Sequence, residues 1–460
     1  MRIKAIFSLL LLTVVGAARA QSTPVVVEEK KTESTTVVIK EEPKPPAFEF
    51  AFHGFIGGTL YLQDSPTGIS GGTQALWAAS PGAPASNYVT DKAVFNGDVR
   101  QTRLNFSIKG PEVMGAIPKG VVEIDFYGAY QVTVGTAVPV CANAGCTTTT
   151  TVTNAAYNAF GQQSIMPRLR FAYAELNWEN TTIWMGQQNN LFFATAPVSD
   201  AHITFPLGYA TGNIGWRNPG FFLFERFGKG DMKSELALEV GASTWTFAGF
   251  NGSTAGGGFN YTAADASGLP MVELRYKLNS KMFNFWVAGH WSELDLNGPN
   301  VTVSQAPGSP SQSVNRTVLA GGGGLQLNLG PLTIYGTGWY GKNTGGLLGN
   351  LVQFLNANAA GAYTDLFGWG LDGQIGFNFT KELSLWYFIG TGQLINWAEA
   401  RAHDYARLAN VDNSLFLRYR VGGFSWSLEY VNFFTTNRLT ATSNYSVHAN
   451  QYAVTGQYYF

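Results

Sequence analysis

From Phe48 onward the chain repeats one hydrophobic–polar figure. An alternating segment of about ten residues is followed by a turn of two to eight residues, a second alternating segment and a long polar loop. The segments lie near 48–62, 95–109, 119–130, 168–179, 181–192, 221–228, 234–247, 270–279, 281–295, 314–329, 331–342, 364–379, 382–395, 413–422, 424–436 and 446–460, which predicts sixteen strands. Short connections at 111–119, 179–180, 228–233, 279–280, 330–331, 380–381 and 422–423 alternate with eight longer loops, so both ends of the series fall on one side. This parity is what a single-chain bacterial barrel requires, with short turns in the periplasm and long loops outside. Barrels of sixteen to eighteen strands enclose an aqueous channel, whereas eight strands fill their interior with side chains.

Alternation also assigns the faces. Val122, Ile124 and Phe126 are expected to face lipid, and Glu123, Asp125 and Tyr127 the lumen. Glu273, Arg275 and Lys277 point inward, as do Arg418 and Arg420, and Ser425, Ser427 and Glu429. In the last segment Tyr452, Val454, Tyr458 and Phe460 face lipid while Gln451, Thr455 and Gln457 face in. Three places break the pattern. Arg168 and Arg170 point in, but strict alternation then turns Glu175 outward, which calls for a bulge or a covering subunit. Arg100 and Arg103 cannot share a face without a bulge. The run 321–324 is all glycine, which weakens a strand unless something approaches its backbone closely, so a folded-in loop or a subunit contact is expected there.

The first residues read as a removable export signal. Arg2 and Lys4 flank an apolar run at 6–15, and Ala18-Arg19-Ala20 supplies small residues for cleavage after Ala20. No later stretch of about 18 apolar residues could cross a bilayer as a helix. In hydrocarbon, a closed barrel is the other structure that pairs every backbone N–H and C=O. Residues 21–47 are rich in Val, Thr, Glu, Lys and Pro and read as a flexible periplasmic leader, too short for a plug. The barrel is expected over 48–460. Composition agrees, with 13% charged residues, 54 Gly and 32 Phe, against about 25% charged in a typical soluble domain. The barrel region carries 22 Lys and Arg against 25 Asp and Glu, so any ion preference must come from local placement. A soluble β-sandwich is the alternative fold.

The terminal aromatics Tyr458 and Phe460, with spaced apolar residues before them, resemble the signal read by the barrel-assembly machinery, although Gly456 interrupts the series. A second resemblance rests on an ordered set of motifs: Arg100-Gln101-Thr102-Arg103, then Glu123-Ile124-Asp125-Phe126-Tyr127-Gly128, then Arg168-Leu169-Arg170-Phe171-Ala172-Tyr173, then Gly186-Gln187. This order resembles the trimeric porins of Gram-negative bacteria, especially the DcaP-like group, over roughly the first third of the barrel. The resemblance implies a homotrimer of sixteen-stranded all-β barrels in the outer membrane, in contact with lipid and lipopolysaccharide. It further implies a third loop folded into the lumen as a constriction and passage of small hydrophilic solutes, notably anions such as small carboxylates.

The third long loop, 194–220, is rich in Gly and Pro and carries Asp200, His202 and Arg217. A ring of Arg lowers the electrostatic barrier for anions in a narrow opening, and opposing carboxylates create a transverse field. Arg103, Arg168, Arg170, Arg418 and Arg420 are candidates for the basic wall, and Glu123, Asp125 and Asp200 for the acidic side. A sugar channel would instead need aromatic rungs, for which Trp286, Tyr335 and Trp339 are available. Cys141 and Cys146, close together in an exported chain, are expected to form a local disulfide in the second long loop. The five histidines are scattered, no metal or cofactor is implied, and no glycine cluster opens a helix to hold a nucleotide or nucleic acid. Two other readings remain: a non-conducting structural or adhesive barrel, and an outer membrane hydrolase, for which His290 and Ser292 share a strand face.

Overall fold

The computed structural model describes residues 48–65, 67–68, 74–79, 93–128, 131–139, 149–157, 167–243, 264, 267–296, 315–353, 355 and 363–460. The export signal, the leader, Cys141 and Cys146 lie outside the described residues. Sixteen strands close into one antiparallel barrel. They are β1 (Glu49–Gln63), β2 (Val94–Asp98 and Arg103–Lys109), β3 (Ile117–Asp125), β4 (Arg168–Asn177), β5 (Thr181–Asn189), β6 (Arg217–Phe227), β7 (Lys233–Gly241) and β8 (Met271–Asn279). The second half consists of β9 (Phe283–Asp295), β10 (Asn315–Leu329), β11 (Leu332–Lys342), β12 (Phe367–Asn378), β13 (Leu383–Leu394), β14 (Arg407–Val421), β15 (Phe424–Arg438) and β16 (Asn444–Tyr459). The two segments of β2 count as one strand because both pair with β1. All sixteen predicted segments are present. Two begin several residues earlier than alternation suggested: β6 starts at Arg217 and β14 at Arg407. In β14 the inward residue Leu408 is apolar because it packs under a short helix, α1 (Trp397–Ala402), which disguises the polar-in pattern.

Each strand pairs with its neighbours in sequence, and β1 with β16 completes the ring. Phe55 opposes Tyr459 and Gln63 opposes Gln451 in an unbroken register. The Gly54 N–H donates to the Phe460 carbonyl at 3.1 Å, and the Phe460 N–H donates back at 3.2 Å. The faces follow the alternation. Tyr452, Val454, Tyr458 and Phe460 are exposed, while Gln451, Thr455 and Gln457 are buried in the lumen. With Phe52, Ile56, Leu60, Met185, Leu274, Ile375 and Leu428 also exposed, the outside is an apolar belt of the kind a bilayer covers favourably. Among the described residues no helix is long and apolar enough to cross a membrane.

The two charge anomalies are resolved by the backbone. In β4 the pairing shifts so that Glu123 opposes Phe171 while Ile124 opposes Leu169, leaving Arg170 as the extra residue of a bulge. The bulge resets the alternation, so Arg168, Arg170 and Glu175 all face in. In β2 the ladder breaks between Asp98 and Arg103, where the Thr102 N–H donates to the Val99 carbonyl at 3.2 Å, and Arg100 and Arg103 are both inward.

The loop between β5 and β6, residues 190–216, runs inside the barrel and is largely buried. Its root is held by two glutamates that face each other across β7 and β8. Glu239 accepts from the Leu191 N–H (2.9 Å), and Glu273 accepts from the Phe192 N–H (2.8 Å) and Asn190 Nδ2 (2.9 Å). Farther along, Trp339 Nε1 donates to the Thr211 carbonyl (2.8 Å), Asn213 Nδ2 to the Tyr335 hydroxyl (3.0 Å), and the Val198 N–H to Gln374 (2.7 Å). Phe192 lies over Gly322, where a methyl group would come within 2.9 Å of its ring. The folded-in loop therefore accounts for a glycine in the middle of that strand.

Gly322→Val should cost about 1–3 kcal/mol through overpacking against Phe192, lowering the temperature at which the barrel loses its folded mobility in a gel. Gly321→Ala, with nothing within 4 Å of the added carbon, should leave that temperature unchanged. Glu273→Ala strips the Phe192 N–H and Asn190 Nδ2 of their acceptor, at about 1–3 kcal/mol for each group left unpaired. We expect limited proteolysis to cut at 190–193 in that variant and not in the parent.

Candidate functional site

The lumen-facing arginines come together. Arg168 Nη2 lies 2.6 Å from Asp125 Oδ2, Arg170 Nη1 3.1 Å from the same oxygen, and Arg170 Nε 2.8 Å from Glu123 Oε1. Arg103 Nε stands 3.6 Å from Glu123, beyond hydrogen-bond distance. These groups meet because β2, β3 and β4 are adjacent and because the break and the bulge put them on one face. Arg217 pairs across from Asn189 as the first residue of β6, so it is a wall residue rather than the loop residue expected. It lies within electrostatic reach of Arg168 and Arg170. Arg418 and Arg420 extend the same arc from the other side of the closing seam, with Tyr459 within electrostatic reach of both and of Arg103. The arc runs from β14 through the seam to β6.

The carboxylates are arranged differently from the expectation. Glu123 and Asp125 are not across the lumen from the arginines. They sit beneath them, because β3 lies between β2 and β4, and each neutralises part of the arc. Asp200 does come from the inward loop, and it too approaches an arginine: Arg418 Nη1 is 3.9 Å from its Oδ1, while Ser425 Oγ donates to Oδ2 at 3.1 Å. Arg217 and Arg420 stack on the rings of Trp216 (4.0 Å) and Tyr459 (4.8 Å). Of these six arginines, Arg103, Arg168, Arg170 and Arg418 approach three carboxylates while Arg217 and Arg420 stack on rings, so among these groups the surplus charge is positive.

Several residues that alternation marked only as inward prove to seat the loop. Besides Glu239 and Glu273, Asp372 accepts from the Tyr335 hydroxyl (2.9 Å), and Glu429 accepts from Ser199 Oγ (2.7 Å) and Ser414 Oγ (3.1 Å). Trp286, Tyr335 and Trp339 are buried in contact with the loop or the wall around it and present no open aromatic ladder. No periodicity marks these roles, since they depend on where the loop lands.

His290 Nδ1 lies 2.8 Å from Glu273 and its Nε2 2.9 Å from Ser292 Oγ, the connectivity of an acid–base–nucleophile relay. Ser292 is 1% exposed, and both oxygens of Glu273 are engaged by the loop root. A relay needs a hydroxyl that substrate can reach, so the observed chain acts as a structural tie. Among the described residues no group of three or more His, Cys, Asp and Glu could hold a metal ion.

No family model matches the chain, and no curated protein matches it either. Solved structures do. The outer membrane channel DcaP of Acinetobacter baumannii superposes with a TM-score of 0.62 at 12% identity, over 90% of this chain and 97% of that one. An anion-selective porin from Comamonas acidovorans superposes with a TM-score of 0.51 at 8% identity, over 90% of this chain and 100% of that one. With its closed sixteen-strand ring, apolar belt and charged lumen, the chain has the fold of the outer membrane porins.

Proposed function

We propose that the protein is a passive diffusion channel of the outer membrane that admits small hydrophilic solutes and favours anions such as small carboxylates. The observation that carries this reading is the arginine arc inside a closed sixteen-stranded barrel. The barrel as a whole is near neutral, yet on this arc arginines outnumber the carboxylates that contact them. In a narrow opening with low-dielectric walls such an excess lowers the barrier for anions and raises it for cations. The 190–216 loop is the constriction in this reading, and solutes pass between it and the arc without covalent chemistry or a cofactor.

The first 20 residues direct export, residues 21–47 remain in the periplasm, and Cys141 and Cys146 close a disulfide in the second long loop. Tyr458 and Phe460 present the signal for insertion, consistent with their place at the closing seam. Three copies associate in a bilayer of lipid and lipopolysaccharide.

The mature protein refolded into a planar bilayer under a salt gradient is expected to insert in conductance steps of three, with a reversal potential on the anion side. Silence over many insertions would favour the structural or adhesive reading. Arg168→Ala with Arg170→Ala removes two positive charges and should move the reversal potential toward cations; no movement would exclude both from the solute path. Asp125→Asn removes the carboxylate that neutralises both arginines and should move it the opposite way, checked under the same gradient.

A further inference from the structure

Residues 74–79 belong to the long loop between β1 and β2, which the sequence pattern marks only as a connection. They lie inside the barrel. Gln74, Ala75, Leu76, Trp77 and Ala78 are all buried. On one side Gln74 clasps the 190–216 loop: its Nε2 donates to the Ala201 carbonyl at 2.5 Å, and its Oε1 accepts from the N–H groups of Phe205 (2.8 Å) and Thr204 (3.2 Å). On the other side the segment is tied to the wall. The Ala78 N–H donates to Thr435 Oγ1 (2.9 Å), Asn410 Nδ2 donates to the Leu76 carbonyl (3.0 Å), and the Arg407 guanidinium stacks 3.9 Å above Trp77.

Between these ties runs an apolar core. Ala75 and Ala78 pack with Leu207 of the inward loop and with Phe388, Val431 and Phe433 of the wall. A third inward stretch braces the assembly. Asn350, Leu351 and Val352 run through the left-handed region with φ of 51°, 57° and 57°, a costly backbone for branched side chains. Arg407 holds them there by donating to the carbonyls of Leu351 (3.0 Å) and Val352 (3.1 Å). The same guanidinium therefore joins two inward segments to β14.

We propose that residues 74–79 are a second inward lobe that seals the lumen between the 190–216 loop and the ends of β14–β16 opposite to Arg418 and Arg420, confining solutes to the arginine arc. The proposal rests on the reading of the protein as a channel. What the lobe covers sets its consequence for selectivity. Asp412 is buried on that part of the wall, accepting from the Asn410 amide that also donates to the Leu76 carbonyl, and uncovering it would add a carboxylate-lined path that favours cations. Gln74 and Trp77 act as positioning residues, through the lobe rather than by contact with solute.

Gln74→Ala combined with Trp77→Ala removes both the clasp and the stack. In protein that keeps its folded mobility, unitary conductance should rise and the reversal potential should move toward cations. Trp77→Phe alone, which keeps a ring beneath Arg407, should match the parent in both. An unchanged conductance and reversal potential in the folded double variant would overturn the proposal. A second measurement does not depend on that variant folding. With Cys141 and Cys146 replaced by serine, Ala75→Cys in proteoliposomes should resist a membrane-impermeant methanethiosulfonate reagent, read by mass; rapid labelling would show that the lobe is not seated. If the parent proved silent in bilayers the channel reading would fail, while the labelling would still decide whether the lobe lies in the lumen.

Discussion

The structure depends on one constraint: inside hydrocarbon no backbone N–H or C=O can be left without a partner. A sheet meets it only by closing on itself, and here the closure is the β1–β16 register ending in the reciprocal Gly54–Phe460 pair. Closure makes every strand two-sided. Apolar side chains must take the outside and polar ones the inside, so the interior collects charge by default. That interior is too wide for the wall's own side chains to fill, and its polar groups find partners in chain folded in from the loops. The 190–216 loop and residues 74–79 supply backbone donors and acceptors to Glu239, Glu273, Gln374, Asn410 and Thr435.

Two departures from regular pairing gather the arginines, and each is capped by a side chain. At the bulge in β4, Gln187 Nε2 donates to the carbonyls of Leu169 (3.2 Å) and Arg170 (3.0 Å). At the break in β2, Thr102 Oγ1 accepts from the Gly57 N–H at 3.2 Å. Without the bulge, Arg168 and Glu175 could not face the same way; without the break, Arg100 and Arg103 could not. An irregularity in a membrane strand leaves backbone groups unpaired at a depth where water is absent. The cap is therefore part of the device, and Thr102 and Gln187 belong to the arginine arc even though neither enters the lumen.

Alternation made most of the wall legible, because the strand period of two is a local property that tertiary contacts seldom override. Strand number, parity and the inward set Glu123, Asp125, Arg418 and Arg420 follow from it directly. The conflict at Glu175 and the glycine run were legible as anomalies, and their causes, a bulge and a folded-in loop, were among the expected ones. The partners of inward residues were not legible. Glu123 and Asp125 were expected to face the arginines across the lumen, since alternation gives the face of a residue but not which strand lies beside it. Residues 74–79 carry no period, and Gln74 is marked only by the backbone groups it meets 127 to 131 positions away.

The near-neutral charge of the barrel sits easily with a selective lumen once the use of each sign is separated. Of the inward carboxylates, Glu239, Glu273 and Glu429 hold the 190–216 loop, Asp372 holds the Tyr335 hydroxyl that receives Asn213, and Asp412 accepts from Asn410 beneath the 74–79 segment. Backbone N–H groups need acceptor atoms, and a buried carboxylate oxygen is a strong one. The arginines cannot serve in that role, having no acceptor atoms. The N–H groups of the folded-in chain therefore draw on carboxylates, while its carbonyls draw on arginines such as Arg275 and Arg407, and most of the inward carboxylates are taken up in seating chain while the arc keeps its six arginines. Selectivity in the proposed channel arises from this division of labour, with no need for a net charge that the sequence does not carry.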